Sequence, residues 1–316
     1  MPLLARPRRL VLIGSVLVDV LLYVDQLPER GGDRVAAHSI VTSGGGFNVL
    51  VGAVRLGLPA AYAGRVGDGP FGMQVAKDLA AAGIEMLLPP IAGEDSGFDI
   101  GLVEPDGERT FVTAPGCESR LQRADLLALP LRPGDAVYVS GYDLCYPVSG
   151  TALGAWLPTL SDSQLLLIDP GPLVAEIPAK RLAAVLARTD ILTLNARETR
   201  LLTGADDVAA GAAALVDRVA DGGWVVARAG AGGCWVASRL QGPVHVPTPP
   251  TEAIDTTGAG DAHAAALLAR IALGEEMIAA AWAANVAASI AVTRRGPAAG
   301  PSAEELEATL AATSSR

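Results

Sequence analysis

Short apolar runs alternate with helix-like stretches along most of this chain, and that alternation constrains the fold more than any other feature. Strand-like runs cover Arg9 to Ile13, Ala60 to Val66, Ala136 to Val139, Leu165 to Ile168, Ile191 to Leu194 and Trp224 to Ala227. Between them, Phe47 to Leu56 and Phe71 to Ala82 repeat apolar residues at helical spacing and stop at Gly57 and Gly83. Strands that are apolar along their length, separated by helices, predict a doubly wound α/β sheet covered on both faces. Helices are expected at the end of the chain, over Asp261 to Ala272, Glu275 to Thr293 and Ala303 to Ala312. The alternation never stops and restarts, so a single domain over 1–316 is expected.

Two regions break the pattern. Val16 to Val41 is mostly strand-like around a Pro28–Gly32 turn region, and Phe98 to Thr113 reads as a hairpin about a Pro-Asp-Gly turn at 105–107. They predict a small second β-sheet, within about 16–42 and 97–114, either as a lid over a site or as ordinary edge strands.

Composition narrows the function. The 316 residues are 50% hydrophobic, which excludes disorder, and carry a formal net charge of −10, which disfavours nucleic acid as a partner. There are only two lysines, Lys77 and Lys180, beside 36 glycines. Three cysteines far apart, Cys117, Cys145 and Cys234, point away from a disulfide framework or zinc site and toward a reducing, cytoplasmic setting. The basic-then-apolar start is interrupted by Asp19 and is too short for a membrane span, so it reads as a buried first strand. A Walker-A loop is excluded because neither lysine follows a glycine. A nicotinamide site lacks its glycine triplet after the first strand, and His38, His245 and His263 have no Gly-x-Ser-x-Gly partner.

The sharpest segment is Asp255-Thr256-Thr257-Gly258-Ala259-Gly260-Asp261, running into a helix. Unpaired N–H groups at a helix start, the helix dipole and close approach at glycine together make a phosphate site. Asp261 there either accepts a proton or serves as an ordinary N-cap.

This string resembles the second signature of the PfkB, or ribokinase-like, carbohydrate kinases. Ser43-Gly44-Gly45-Gly46-Phe47-Asn48 is similar to the family's first signature, Asn195-Ala196-Arg197-Glu198 to its Asn-x-x-Glu element, and Asp19 stands where the family carries a substrate-binding Asp. The four matches occur in the family's order and span nearly the whole chain.

The resemblance implies a ribokinase-like fold and ATP-dependent phosphorylation of a hydroxymethyl group on a sugar or nucleoside. It implies Asp261 as general base and an anion hole of amides at Gly258, Ala259 and Gly260. Asp19, Gly44, Gly45 and Asn48 would bind the acceptor, with Arg109 reaching down from the lid. Asn195, Glu198, Arg228, Gly230 and Gly233 would lie at the nucleotide, with Mg²⁺ held near Glu198 through water. Asp255, Thr257, Ala291 and Gly296 match positions that bind K⁺ in relatives. A homodimer through the lid is expected, with no membrane or nucleic-acid partner.

The chain departs from the family pattern in two places. Ser43 replaces the usual first glycine, and Arg228 replaces a frequent Thr. Arg228 either pairs with a phosphate or faces solvent. Family acceptors range from ribose and fructose to nucleosides and phosphosugars. The lack of a basic cluster favours an unphosphorylated acceptor over a phosphosugar, and Tyr142 and the Asp169-Pro-Gly-Pro segment are candidate pocket residues. A non-catalytic sugar- or nucleoside-binding protein of the same fold, or a phosphosugar kinase, is the alternative.

Overall fold

The computed structural model describes residues 6–105 and 108–314. Asp106 and Gly107 of the expected Pro-Asp-Gly turn lie outside the described residues, as do the first five residues.

Thirteen strands are formed among the described residues: β1 (Arg9–Leu12), β2 (Val16–Tyr23), β3 (His38–Gly45), β4 (Ala60–Tyr62), β5 (Glu85–Met86), β6 (Phe98–Val103), β7 (Arg109–Ala114), β8 (Asp135–Ser140), β9 (Leu165–Asp169), β10 (Ile191–Asn195), β11 (Trp224–Arg228), β12 (Cys234–Ser238) and β13 (Gln241–Val246). Nine of them make one sheet, in the order β13-β12-β11-β10-β9-β8-β1-β4-β5. From β11 to β5 every pairing is parallel, and β12 and β13 close one edge as an antiparallel hairpin.

The apolar strands alternate between two cores, as a sheet buried on both faces requires. Leu10, Leu12, Tyr138, Leu167 and Val226 pack on one face, against the helices Phe47–Arg55, Ala259–Ala272 and Met277–Ala291. Val11, Ile13, Val139, Ile168 and Ala227 pack on the other, against Pro147–Trp156, Ala179–Leu186 and Val208–Leu215. The predicted doubly wound sheet is therefore present. The hairpin β12–β13 and the short β5 were not anticipated.

The second sheet is also present, in the order β3-β2-β6-β7. β2 pairs antiparallel with β3 and parallel with β6, and β6 pairs antiparallel with β7. β3 runs on to Gly45, beyond the expected limit near residue 42, and delivers the chain directly into the helix Phe47–Arg55. That helix crosses Ala259–Ala272 closely, because a Cβ at Gly52 would come 2.9 Å from the Ala265 Cβ. The contact sets the distance between Asn48 on one helix and Asp261 on the other.

Candidate active site

A cavity of about 280 Å³ lies between the small sheet and one end of the large one. Asp19 of β2, Asp99 and Thr113 of the hairpin, Gly45 at the end of β3, Gly46 and Asn48 beyond it, and Asp261 line it. Tyr138, Ser140, Tyr142, Asp143 and Tyr146 come from the carboxyl end of β8 and the turn beyond it. Ligands in open α/β sheets bind outside the carboxyl ends of the strands, and this cavity obeys that rule. The small sheet closes over it as a lid.

Asp261 sits in the first turn of Ala259–Ala272, where Asn48 Nδ2 donates to its Oδ2 at 3.1 Å. Burial, with repulsion from Asp169, lifts its pKa to about 6 against the opposing effects of Asn48 and Arg228. Asp19 is 8% exposed, and burial followed by the charges of Asp99 and Asp261 pushes it up to about 7. Gly44 has no room for a side chain, since a Cβ there would lie 2.1 Å from the Asp19 carboxylate. Ser43 faces away from the pocket, donating its hydroxyl to Asp78 Oδ2 at 2.7 Å, so the departure from glycine does not narrow the cavity.

Gly258 caps the helix at φ 69°, and a Cβ there would fall 1.8 Å from the Pro297 carbonyl oxygen. Ala259 N–H donates to the Thr256 carbonyl at 3.3 Å, whereas the Gly258, Gly260 and Asp261 amides meet no backbone acceptor among the described residues. The result is a glycine-bounded row of free amides at a positive helix end beside a raised carboxylate.

A second group lies at the ends of β9, β10 and β11. Arg228 donates to Asp169 Oδ2 at 2.9 Å and to the Gly260 carbonyl at 3.2 Å, and approaches Glu198 Oε2 at 3.9 Å. Burial works against its charge, but Asp169 and Glu198 outweigh it, and its pKa stands above the ordinary value. Asn195 and Glu198 form a reciprocal cap: Asn195 N–H and Nδ2 donate to Glu198 at 2.7 Å each, and Glu198 N–H returns a 2.9 Å bond to Asn195 Oδ1. Burial and then Asp169 raise the Glu198 pKa.

A third group ties the lid to the anion loop. Arg109 of β7 pairs with Asp255 Oδ1, which also accepts from Thr257 N–H at 2.8 Å and Thr257 Oγ1 at 2.6 Å. Asp255 Oδ2 accepts from Gly296 N–H at 2.9 Å. Burial opposes its charge, but these donors and Arg109 together hold its pKa below the usual range.

The chain matches the model of the pfkB family carbohydrate kinase over residues 7–304. It belongs to that family. It is 33% identical to an uncharacterized sugar kinase of Escherichia coli K12, YegV, over 97% of this chain and 95% of that one. It is 32% identical to a Klebsiella pneumoniae fructokinase over 79% and 81% of the two chains. Among solved structures, the ribokinase of Thermotoga maritima superposes with a TM-score of 0.80 at 22% identity, over 96% of this chain and 99% of that one. The adenosine kinase of Sinorhizobium meliloti superposes at 0.81 and 22%, over 97% and 100%. The structural likenesses establish the ribokinase-like fold.

Within this pfkB-family kinase, the expected residues fall into the three groups described. Asp19, Gly45, Asn48 and Asp261 meet in the cavity with Gly44 against Asp19. Asn195, Glu198 and Arg228 meet beside Gly260, and Arg228 is not solvent-facing but held between Asp169 and the Gly260 carbonyl. Arg109 reaches Asp255 and is not among the cavity-lining residues. Gly233 has a local reason to be glycine, because a Cβ would come 2.2 Å from the Val246 carbonyl of the edge hairpin, while Gly230 faces open space.

Asp255, Thr257 and Gly296 cluster as expected, but they do not fit a monovalent cation. Asp255 Oδ1 takes Arg109 and both Thr257 donors, Oδ2 takes Gly296 N–H, and Arg109 already supplies the positive charge that a cation would bring. The Ala291 carbonyl accepts from Arg294 N–H at 3.0 Å. For Mg²⁺ the fit is indirect. Each Glu198 oxygen accepts one hydrogen bond and keeps a lone pair for a metal-bound water, which suits a cation that retains its waters. No group of three metal-ligating side chains occurs among the described residues.

Sequence reasoning missed Asp99, Asp143, Ser15, Tyr138, Tyr146 and Thr113. Asp143 is 2% exposed, and burial pushes it up to about 7 while the Ser15 hydroxyl, at 2.6 Å, opposes the shift. A carboxylate just beyond a buried strand was the available signal. Asp99 carried the same signal as Asp19, a charge inside an apolar run.

Proposed function

We propose that this kinase transfers the γ-phosphoryl group of MgATP to a hydroxymethyl group of an unphosphorylated sugar or nucleoside, acting as one catalytic unit over 1–316. The observation that carries the reading is Asp261: a carboxylate raised to about 6, lining an acceptor-sized cavity and standing beside the free amides of Gly258 and Gly260. The Arabidopsis thaliana ribokinase structure, complexed with ribose and ATP, supports the pairing of substrates, and has a TM-score of 0.75 to this chain.

The transition state of phosphoryl transfer is loose, so the protein's work is positioning and charge stabilisation. Asn48 fixes one Asp261 oxygen, and the other receives the acceptor's hydroxyl proton late in transfer. A pKa near 6 keeps this base ionised at neutral pH without making it too weak to take the proton. The amides at Gly258–Gly260 donate to the charge developing on the transferred group. Arg228 acts on that loop through the Gly260 carbonyl, to which Nη1 donates while Nη2 donates to Asp169. Asp19 and Asn48 hold acceptor hydroxyls. Asn195 at the end of β10 and Glu198 in the helical turn after it would hold Mg²⁺ through its waters beside the nucleotide. Mg²⁺, when bound with the nucleotide, supplies charge neutralisation on the phosphates.

The cavity is lined by Asp19, Asp99, Asp143 and Asp261 with no Lys or Arg, which favours an unphosphorylated acceptor over a phosphosugar. A homodimer through the lid is supported by its edge strands β3 and β7, where Val41 and Val112 are exposed; sedimentation as a monomer refutes it. Three free cysteines support a cytoplasmic setting. The test of the activity is ATP consumption with a panel of sugars and nucleosides, with Asp261→Asn as control. Undiminished turnover in that variant removes the general-base assignment.

A further inference from the structure

We propose that Asp99 is a specificity-determining residue of the acceptor pocket. Together with Asp19 it accepts hydrogen bonds from a hydroxyl-bearing acceptor and turns away one that carries a phosphate beneath the lid. The inference rests on the kinase reading above and extends it by naming the side chain that reads the acceptor's charge.

Three strand pairings place the two carboxylates together. Thr42 is opposite Asp19, Asp19 is opposite Asp99, and Asp99 is opposite Thr113, so one row of four polar residues crosses the lid. Register partners project from the same face of a sheet. Asp19, Asp99 and Thr113 all line the cavity. Two carboxylates side by side and partly dehydrated repel each other, which a fold does not retain without a compensating ligand.

Unmet hydrogen-bonding capacity shows what that ligand must supply. Thr113 hydrogen-bonds the Asp99 carboxylate, yet Asp99 Oδ1 is buried without a partner. Independently, Asn48 is only 7% exposed, lines the same cavity, and its Oδ1 is also buried without a partner. Both atoms can only accept hydrogen bonds, so the missing molecule brings donors.

Charge disfavours the phosphorylated alternative. Four carboxylates line the cavity, and no Lys, Arg or His does. The two nearby arginines are committed elsewhere, Arg109 to Asp255 and Arg228 to Asp169 and Gly260. A phosphate under the lid would therefore face like charge in a low-dielectric pocket with no cation to answer it. Burial and the neighbouring carboxylates push Asp19 up to about 7.

The test compares D-ribose with D-ribose 1-phosphate and D-fructose with D-fructose 1-phosphate, with MgATP, in wild type and Asp99→Asn. The wild type is expected to favour the unphosphorylated member of a pair at least tenfold in kcat/KM. In Asp99→Asn the acceptor KM should rise about tenfold to a hundredfold, the range for losing a charge-assisted hydrogen bond. The KM for ATP should stay within twofold, a split that a merely structural role would not produce, and the preference within the pair should shrink about tenfold. Calorimetric binding of the same sugars with a non-hydrolysable ATP analogue gives the same comparison where turnover is absent. Equal or reversed preference in every pair, or an Asp99→Asn protein with unchanged acceptor KM, binding and preference, overturns the inference. Turnover of a phosphorylated member in preference refutes this inference and the unphosphorylated acceptor, and leaves ATP-dependent phosphoryl transfer itself intact. ATP consumption with no acceptor in a broad panel counts against the kinase reading itself.

Discussion

Replacing Asp261 by Asn separates the charge of this carboxylate from its shape, and the consequences for rate and stability have opposite signs. Burial, then Asp169, lift its pKa from 3.8 to about 6. That is roughly two units, or about 3 kcal/mol at 1.36 kcal/mol per unit. Because the folded value lies above the unfolded one, the native state holds the extra proton between about pH 4 and 6 and loses stability as pH rises through that window. Below it the penalty is absent, and above it the penalty is complete. Asn carries no charge and escapes the penalty. Asp261 is only partly buried, and solvent screening cuts the expected gain at pH 8 to about 1–2 kcal/mol, roughly 2–4 °C in Tm. The same substitution removes the proton acceptor and should lower kcat by about 10²- to 10⁴-fold. Thermal melts of both proteins from pH 4.5 to 8, beside turnover measurements, check the pair of effects. The variant should melt higher at pH 8, with the difference closing toward pH 4.5. A variant that melts lower at pH 8, or a gain that does not shrink in acid, refutes the electrostatic reasoning.

Gly258→Ala should lower both stability and kcat, because the Cβ would fall 1.8 Å from the Pro297 carbonyl at a φ of 69°. A cost of at least about 1–3 kcal/mol is expected in a urea melt, and a neutral result would show that the loop relaxes freely. Wild-type turnover should be the same within twofold in K⁺ and in K⁺-free buffer, since Arg109 already meets Asp255. Arg109→Met should be slower and should regain rate on adding K⁺; strong K⁺ activation of the wild type would sink that reading. Arg228→Met strands Asp169 and the buried Glu198 without their cation. It should cost about 3–5 kcal/mol, and a loss under 1 kcal/mol in a denaturant titration would show that the cluster is not holding the fold.

The architecture was readable because the strands of a sheet buried on both faces are apolar along their length, a signal that survives without neighbours. Leu165 to Ile168 and Trp224 to Ala227 lie inside β9 and β11 for that reason. The edge hairpin β12–β13 escaped notice because its outer strand alternates weakly and carries Gly242 and Pro243. The signature segments could be read for a related reason. Gly258 is demanded by backbone conformation and Gly44 by the proximity of Asp19, and such local constraints leave an imprint in a single stretch of chain.

What the sequence withheld are the partners that distant strands bring. Arg228 reads equally as a solvent-facing or a phosphate-facing cation until Asp169, 59 positions away, is seen to hold it. On the proposed reading the burden of binding phosphate then falls on the amides of the glycine loop, in a chain with a net charge of −10. Arg109 reads as a lid residue over the acceptor until Asp255, 146 positions away, claims it. In both cases a carboxylate removes an arginine from the pocket, and the acidic lining that remains is a product of those pairings. Asp19 and Asp99 become neighbours only through the parallel pairing of β2 with β6, strands that 74 residues separate. Any one-residue slip in that pairing would turn Asp99 to the opposite face and leave Asp19 alone. The charge of the acceptor pocket is therefore set by the register of the lid, which no local pattern in the chain encodes.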